Sequence, residues 1–461
     1  MPRRLGESLK RLTRPSGWLV PVLLLSGHAF TAPGRSEPPV VEGPYLLGPP
    51  GLELPPPPAP WSQAAWDDRL AVSRWQAQPP AGSAEAQALW LSQDPVLAWG
   101  HPLLLRLASL ERPDPPRAAR TLALFHATCH DVSVAVWQAR AQHRRPGPAR
   151  RLGAAQGPGA GSASEAIASY PDHGAAVAAA ASRLLGALFP EAAQGLQRQA
   201  DAVAWLGVAA GQAYPSDIRA GWQIGQAVAV RALQRLQRDP LRLPASARTP
   251  ARWALSPEAA HWQCWSRPAP PPLRAPEESA ARRAEWRRAV DQLGIRERAI
   301  AMKWLRQDMA QHWYVRAAAL ARKEKLAGPE LARVMAGTSL ALSDAAVTCW
   351  ALQARFKRPQ LATQLPGFRP LLPAPDHPGF PADTAAMAQA AATYLGSVFP
   401  LARAGLAREA GEAAEAAIFA GWGDRLDRDA GVRVGEAVGQ AVIRLTSRLD
   451  HPQHEAPTRA P

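Results

Sequence analysis

Apolar residues recur along this chain at the i, i+3, i+4, i+7 spacing of one helical face, in long alanine- and leucine-rich blocks cut by proline and glycine. The blocks predict helices near 84–109, 116–142, 173–188, 192–214 and 217–238, and again near 278–292, 297–324, 328–355, 383–398, 401–421 and 428–448. Segments that alternate apolar and polar positions with β-branched or aromatic residues are scarce, so the expected class is all-α.

The two sets of helices read as copies. His130-Asp131-Val132-Ser133-Val134-Ala135-Val136-Trp137 with Arg145-Pro146 answers Ser343-Asp344-Ala345-Ala346-Val347-Thr348-Cys349-Trp350 with Arg358-Pro359, each matched position 213 residues apart. Downstream the offset becomes 210: Phe189-Pro190 answers Phe399-Pro400, and Asp217, Gly221, Gly225 answer Asp427, Gly431, Gly435. A period of this length implies two related helical bundles packed as one unit. Glycines four apart inside helices cost about 1 kcal/mol each against alanine, which a closely approaching neighbour helix would offset.

Punctuation by composition divides the chain. Arg3, Arg4, Lys10, Arg11 and Arg14 precede a short apolar run ending near Ala32, the pattern of an export signal over 1–29 with Gly27-His28-Ala29 as cleavage site, an uncleaved anchor being the other reading. A Pro-rich, weakly ordered linker follows (30–60), then an N-terminal bundle (61–239), a Pro/Trp-rich connector (240–276), a C-terminal bundle (277–450) and a flexible tail (451–461). This organisation predicts an exported protein, periplasmic or extracellular, with no transmembrane span in the mature chain.

With 53 Lys and Arg against 38 Asp and Glu the formal charge is +15; loss of five cations and one Glu with residues 1–29 brings it to about +11. No nucleic-acid motif accompanies the charge, so a basic surface with peripheral envelope contact is the expectation, without a nucleic-acid partner. Three cysteines, Cys129, Cys264 and Cys349, make no disulfide framework, and no Cys/His spacing suggests a metal site. Trp137, Trp304 and Trp350 fall on apolar helical faces and are read as core.

The order of features in the second half is distinctive: Asp344, Trp350, Arg358-Pro359, a proline-broken loop, His377-Pro378-Gly379-Phe380-Pro381-Ala382-Asp383-Thr384, Phe399-Pro400, Ala420-Gly421, and Asp427 with Gly431 and Gly435. In this order and in its duplication, residues 84–448 resemble the secreted bacterial branch of the type-2 phosphatidic acid phosphatase and vanadium-dependent haloperoxidase superfamily. The resemblance implies an all-α fold with a non-catalytic N-terminal half. It also implies an oxyanion cage made by a Lys, the Arg of the Arg-Pro pair, a Ser-Gly-His turn and a second Arg. A His attacks phosphorus or ligates vanadium, an Asp orients it, and a second His is general acid or base.

Carried over residue by residue, that machinery is mostly missing. Arg358, Pro359, Pro381, Asp427, Gly431 and Gly435 match. The cage lysine falls on Ala351, with Arg355 and Lys357 the nearest basic residues; the turn reads Ala382-Asp383-Thr384; the second Ser-Arg pair falls on Ala416-Ala417; the attacking or ligating His falls on Gly423. In the first half Arg145 and Asp217 match, the turn reads Pro171-Asp172-His173-Gly174, and the final His position is Ala213. A carboxylate beside a bound anion is repulsive by roughly 4 kcal/mol at 4 Å and an effective dielectric near 20.

Three readings follow. The chain is an exported, catalytically degenerate relative that binds a protein or anionic ligand, with Lys357, Arg358 and Arg369 as a residual anion site; no cofactor is expected, vanadate or phosphate entering only where that cage still works. Alternatively it is a divergent phosphohydrolase or haloperoxidase in which His377, Asp383 and Thr384 take over, or a basic envelope protein resting on anionic lipid or polysaccharide. Two bland readings stand beside these: Arg358 pairing internally with Asp427 or Asp383, and Asp424, Asp427 and Asp429 forming a solvated helix start rather than a cation site.

Overall fold

The computed structural model describes residues 44–46, 54–79, 86, 90–108, 115–148, 168–239, 257–277 and 279–450. The expected signal at 1–29, most of the linker and the tail after 450 lie outside the described residues. Among those described there is no strand, and the all-α class holds. The helices are α1 (Gln63–Ala77), α2 (Pro95–Ala108), α3 (Pro115–His143), α4 (His173–Leu188), α5 (Ala193–Ala209), α6 (Pro215–Gln237), α7 (Ala280–Asp291), α8 (Ile295–Leu305), α9 (Met309–Lys323), α10 (Gly328–Phe356), α11 (Asp383–Val398), α12 (Arg403–Phe419) and α13 (Arg425–Asp450).

The sequence repeat is a structural repeat. The order α3, α4, a 3₁₀ turn at Pro190–Ala192, α5, α6 recurs as α10, α11, a 3₁₀ turn at Pro400–Ala402, α12, α13, with each of the first three helices matched in length. Contact between the halves is concentrated where α3 lies along α10. A single apolar core runs through both bundles, from Trp99 and Phe125 to Trp313 and Tyr394. By length and composition α10 could cross a membrane, yet 89% of its apolar window is buried in protein, which marks it as the central core helix.

Shared ties explain why the copies keep their shape. Arg140 and Gln353 occupy equivalent positions; Arg140 Nε donates to Pro171 O (3.0 Å) and Gln353 Nε2 to Pro381 O (2.9 Å), each fixing the proline that precedes the next helix. The buried Asp131 accepts from the backbone N–H groups of Tyr45 and Leu46 (2.7 and 2.6 Å). Its copy Asp344 accepts from those of Trp265 and Ser266 (2.8 and 2.7 Å) and from the Ser266 hydroxyl (2.6 Å). Each bundle is thus strapped by the extended segment that precedes it.

These ties revise two expectations. The described parts of the Pro-rich stretch are held to the bundle, by Asp131 at Tyr45-Leu46 and by the Tyr170 hydroxyl donating to Pro55 O, rather than forming a loose linker. The predicted helix at 297–324 is two helices, because Asp308 caps α9 by accepting from Ala310 and Gln311 N–H. Helix α1 escaped the periodicity: its large apolar residues define no single face, Val72 being buried while Trp66 and Leu70 are exposed, and its sequence mark is Ser62, whose hydroxyl accepts from Ala65 N–H.

The repeated glycines sit where α6 meets α4 and α13 meets α11. A Cβ on Gly225 would overlap Ala176 O, and one on Gly435 would overlap Ala386 O, so the helix backbones approach closer than any side chain permits.

Candidate functional site

In the second half, the turn after α10, the loop before α11 and the start of α13 converge. Lys357 takes a left-handed conformation (φ 52°) that ends α10, and its N–H donates to Gln353 O at 2.8 Å. The reversal turns the next residue, Arg358, inward, where it is buried. Arg358 Nη1 pairs directly with Asp427, and Nη2 stands 3.8 Å from Asp424.

Asp427 has a second task. Its other oxygen accepts from Asp424 N–H (2.9 Å), while its carbonyl accepts from Ala382 N–H (3.0 Å). The first half repeats both contacts: Asp217 accepts from Tyr214 N–H (2.9 Å) and, through its carbonyl, from Asp172 N–H (3.0 Å). The matched Asp is therefore a helix cap in both halves and an arginine partner in both. Burial, reinforced by the neighbouring Asp424 charge, pushes the Asp427 carboxyl up, against the pull of Arg358 and Arg282.

Helix α7 closes the site from outside. Arg282 pairs with Asp424, and Trp286 donates its indole N–H to Gly423 O at 2.9 Å. What remains is a cavity of about 10 Å³, bordered by Gly379, Ala382, Asp383, Gly423, Asp424 and Asp427. That is room for about one water.

The other sequence candidates are only partly brought together. The His377 ring lies against Trp350 (centroids 4.6 Å apart), its Nδ1 is hydrogen-bonded to Pro378 O (3.0 Å), and its Nε2 is 3.8 Å from Asp383. His377 does not border the cavity, whereas Asp383 does. Thr384 follows Asp383 on α11, its hydroxyl buried without a hydrogen-bond partner among the described residues. Lys357 and Arg369 are exposed and border no described cavity, so they do not join Arg358 in a cage. Among the described residues no three His, Cys, Asp or Glu side chains are placed for a metal, and Asp429 pairs with Arg428 on the surface.

The first half shows the same frame with other fillings. Arg145 pairs with Asp217 (2.6 Å), Asp68 (2.8 Å) and the Ser216 hydroxyl (2.6 Å). His173, at the position of Asp383, sets its ring edge-on to Trp137 (4.9 Å) with Nε2 2.9 Å from the Ser133 hydroxyl. An imidazole thus covers the repeated tryptophan in both halves, from α4 in one and from a loop in the other. Sequence reasoning missed Asp68, Arg282 and Trp286. They come from α1 and α7, and neither helix carries a mark of which site it covers.

No protein-family model matches the chain, and no curated protein sequence does. Solved structures match in fold. A bacterial vanadium-dependent iodoperoxidase is 17% identical with a TM-score of 0.56, over 76% of this chain and 95% of that one. A bacterial vanadium-dependent chloroperoxidase is 14% identical with a TM-score of 0.53, over 75% of this chain and 94% of that one in its holo form, or 96% in its apo form. At such identities the likeness is one of architecture. Vanadate does not fit the equivalent place here: the cavity is water-sized, its charged border is largely carboxylate, and Arg358 is engaged by Asp427.

Proposed function

We propose that this is a haloperoxidase-fold protein that has left catalysis and acts by binding, as an exported scaffold or receptor for a protein or anionic ligand. One observation carries the reading: the arginine that would hold an oxyanion is neutralised by the aspartate that would orient the histidine, and α7 lies over the space left by Gly423. A group that attacks phosphorus or ligates vanadium cannot be supplied by glycine. Removing the nucleophile from a covalent catalyst leaves only its binding and electrostatic contributions.

The divergent-enzyme reading needs His377 to act as acid, base or ligand at the cavity. His377 is instead packed on Trp350 and held by Pro378 O and Asp383.

The test is a calorimetric titration of pure protein with orthovanadate, paired with assays of phosphate-ester hydrolysis and halide oxidation. No vanadate heat at millimolar concentration and no turnover are expected. Vanadate binding abolished by Arg358→Ala, or turnover abolished by His377→Ala in a folded variant, would overturn the proposal.

A further inference from the structure

The two halves differ most in the space beside the repeated Arg-Pro turn. In the second half that space is water-sized and acidic. In the first it is a cavity of about 190 Å³, walled by the Pro57–Pro60 run, the Tyr214 ring and the turn from His143 to Pro146. Every charged or titratable side chain bordering it carries or can carry a positive charge or is a phenol: Arg69, His143, Arg144, Arg145 and Tyr214, with no carboxylate among them.

The arrangement follows from the fold. Arg144 takes the left-handed conformation that ends α3 (φ 46°), as Lys357 does for α10, and its N–H donates to Arg140 O at 2.9 Å. Asp68 and Asp217, which neutralise Arg145, do not border the cavity. The hydrogen bonds of the other two guanidinium groups go to backbone carbonyls: Arg69 Nη1 to Pro60 O and Arg144 Nε to Ala141 O, both 3.2 Å. Among the described residues neither has a carboxylate partner within ion-pair distance; Arg69 also lies over the Trp66 ring, 4.7 Å from its centroid, which leaves its N–H edge and its charge open to an anion. Guanidinium groups bind planar and tetrahedral oxyanions with paired, charge-assisted hydrogen bonds. The proline and tyrosine walls offer an apolar surface to the rest of the ligand. The volume exceeds the roughly 150 Å³ of an apolar cavity that accepts benzene.

We propose that the first half carries a binding site for a small phosphate monoester with a compact apolar body, its phosphate held by Arg69 and Arg144 and its body against Tyr214 and the Pro57–Pro60 run. The site is separate from the second-half position of the vanadium site and stands independently of whether that position is catalytic.

The test is calorimetry of the full mature protein with phenyl phosphate. Three proteins are compared: wild type, Arg69→Gln/Arg144→Gln, and Lys357→Gln/Arg369→Gln, with matched circular-dichroism melts showing that all are folded. One-to-one binding is expected, weakened about tenfold or more in the first variant by loss of two charge-assisted contacts and unchanged in the second. Binding that survives the first variant overturns the proposal, as does absence of wild-type binding at millimolar ligand. Binding lost only in the second variant also overturns it, while favouring a residual anion site in the other half. Failure of the function proposed above is read separately, by the appearance of turnover or of vanadate binding.

Discussion

His126 and Ser339 are the same position of the two long helices, 213 residues apart, and they meet: His126 Nδ1 and Ser339 Oγ are hydrogen-bonded at 2.8 Å. A position that touches its own copy lies on the seam where the two halves meet, so this contact ties the repeat to itself at equivalent points. Burial holds the His126 imidazole down, to about 3.

That depression fixes a sign. The unfolded chain protonates this histidine near 6.5 and the folded one only near 3, so the stability contributed by the neutral ring is present above 6.5 and is lost as pH falls through that window. Burial of Asp94 and Asp344, each pushed up to about 6, contributes with the opposite slope from about 4 upward. His126→Asn keeps a partner for Ser339 without the titration. Between pH 6 and 4, urea titrations should show the wild type losing up to about 1.4 kcal/mol per pH unit more than the variant. Parallel pH profiles would refute this.

Asp344 bridges the connector to the central helix by accepting three hydrogen bonds. Asp344→Ala should lower the unfolding free energy by about 3 kcal/mol, since the Trp265 and Ser266 donors lose a charged acceptor. Hydrogen exchange should rise at those two amides before it rises elsewhere in the second half.

Gly435→Ala and Gly411→Ala test the same chemical change in opposite surroundings. At Gly435 the new methyl would overlap Ala386 O and stand 2.8 Å from Gln389 Cβ; at Gly411 it meets nothing within 4 Å. The first should cost about 2 kcal/mol through overpacking, and the second should stabilise by about 0.5–1 kcal/mol through helix propensity. Thermal melts of the two variants decide it.

Gly423→His restores the residue type that the family resemblance places there, but not its room. A Cβ would stand 2.8 Å from Asp427 Oδ2, and Trp286 holds the Gly423 carbonyl. The substitution should destabilise by about 1–3 kcal/mol and confer no vanadate binding. Calorimetric vanadate binding by this single variant would show that the site is more adaptable than its packing implies.

The architecture was legible in the sequence because helix periodicity and a 213-residue copy offset survive wherever core packing demands them, as along α3 and α10. Arg358 and Asp427 were legible through the family resemblance, which left Arg358 open to pairing with either Asp427 or Asp383. What could not be read was who covers the site. Trp286 and Arg282 act on Gly423 and Asp424 from more than 130 residues away, and Asp68 reaches Arg145 from a helix marked only by its serine cap. Likewise the cavity beside Arg144 depends on where the Pro57–Pro60 run is laid, which is settled by ties at Asp131 and Tyr170 rather than by the prolines themselves.

The packing of α3 on α10 also sets a timetable. The partner of α3 is encoded 213 residues later, so during synthesis at 5–20 residues per second the first long helix is complete roughly 10–40 seconds before the surface it is built to cover exists. For that interval His126 lacks Ser339 and Tyr314, and Trp137 lacks the Gly328 backbone it packs against. The nascent first bundle is the stage at which a chaperone would have the most to hold.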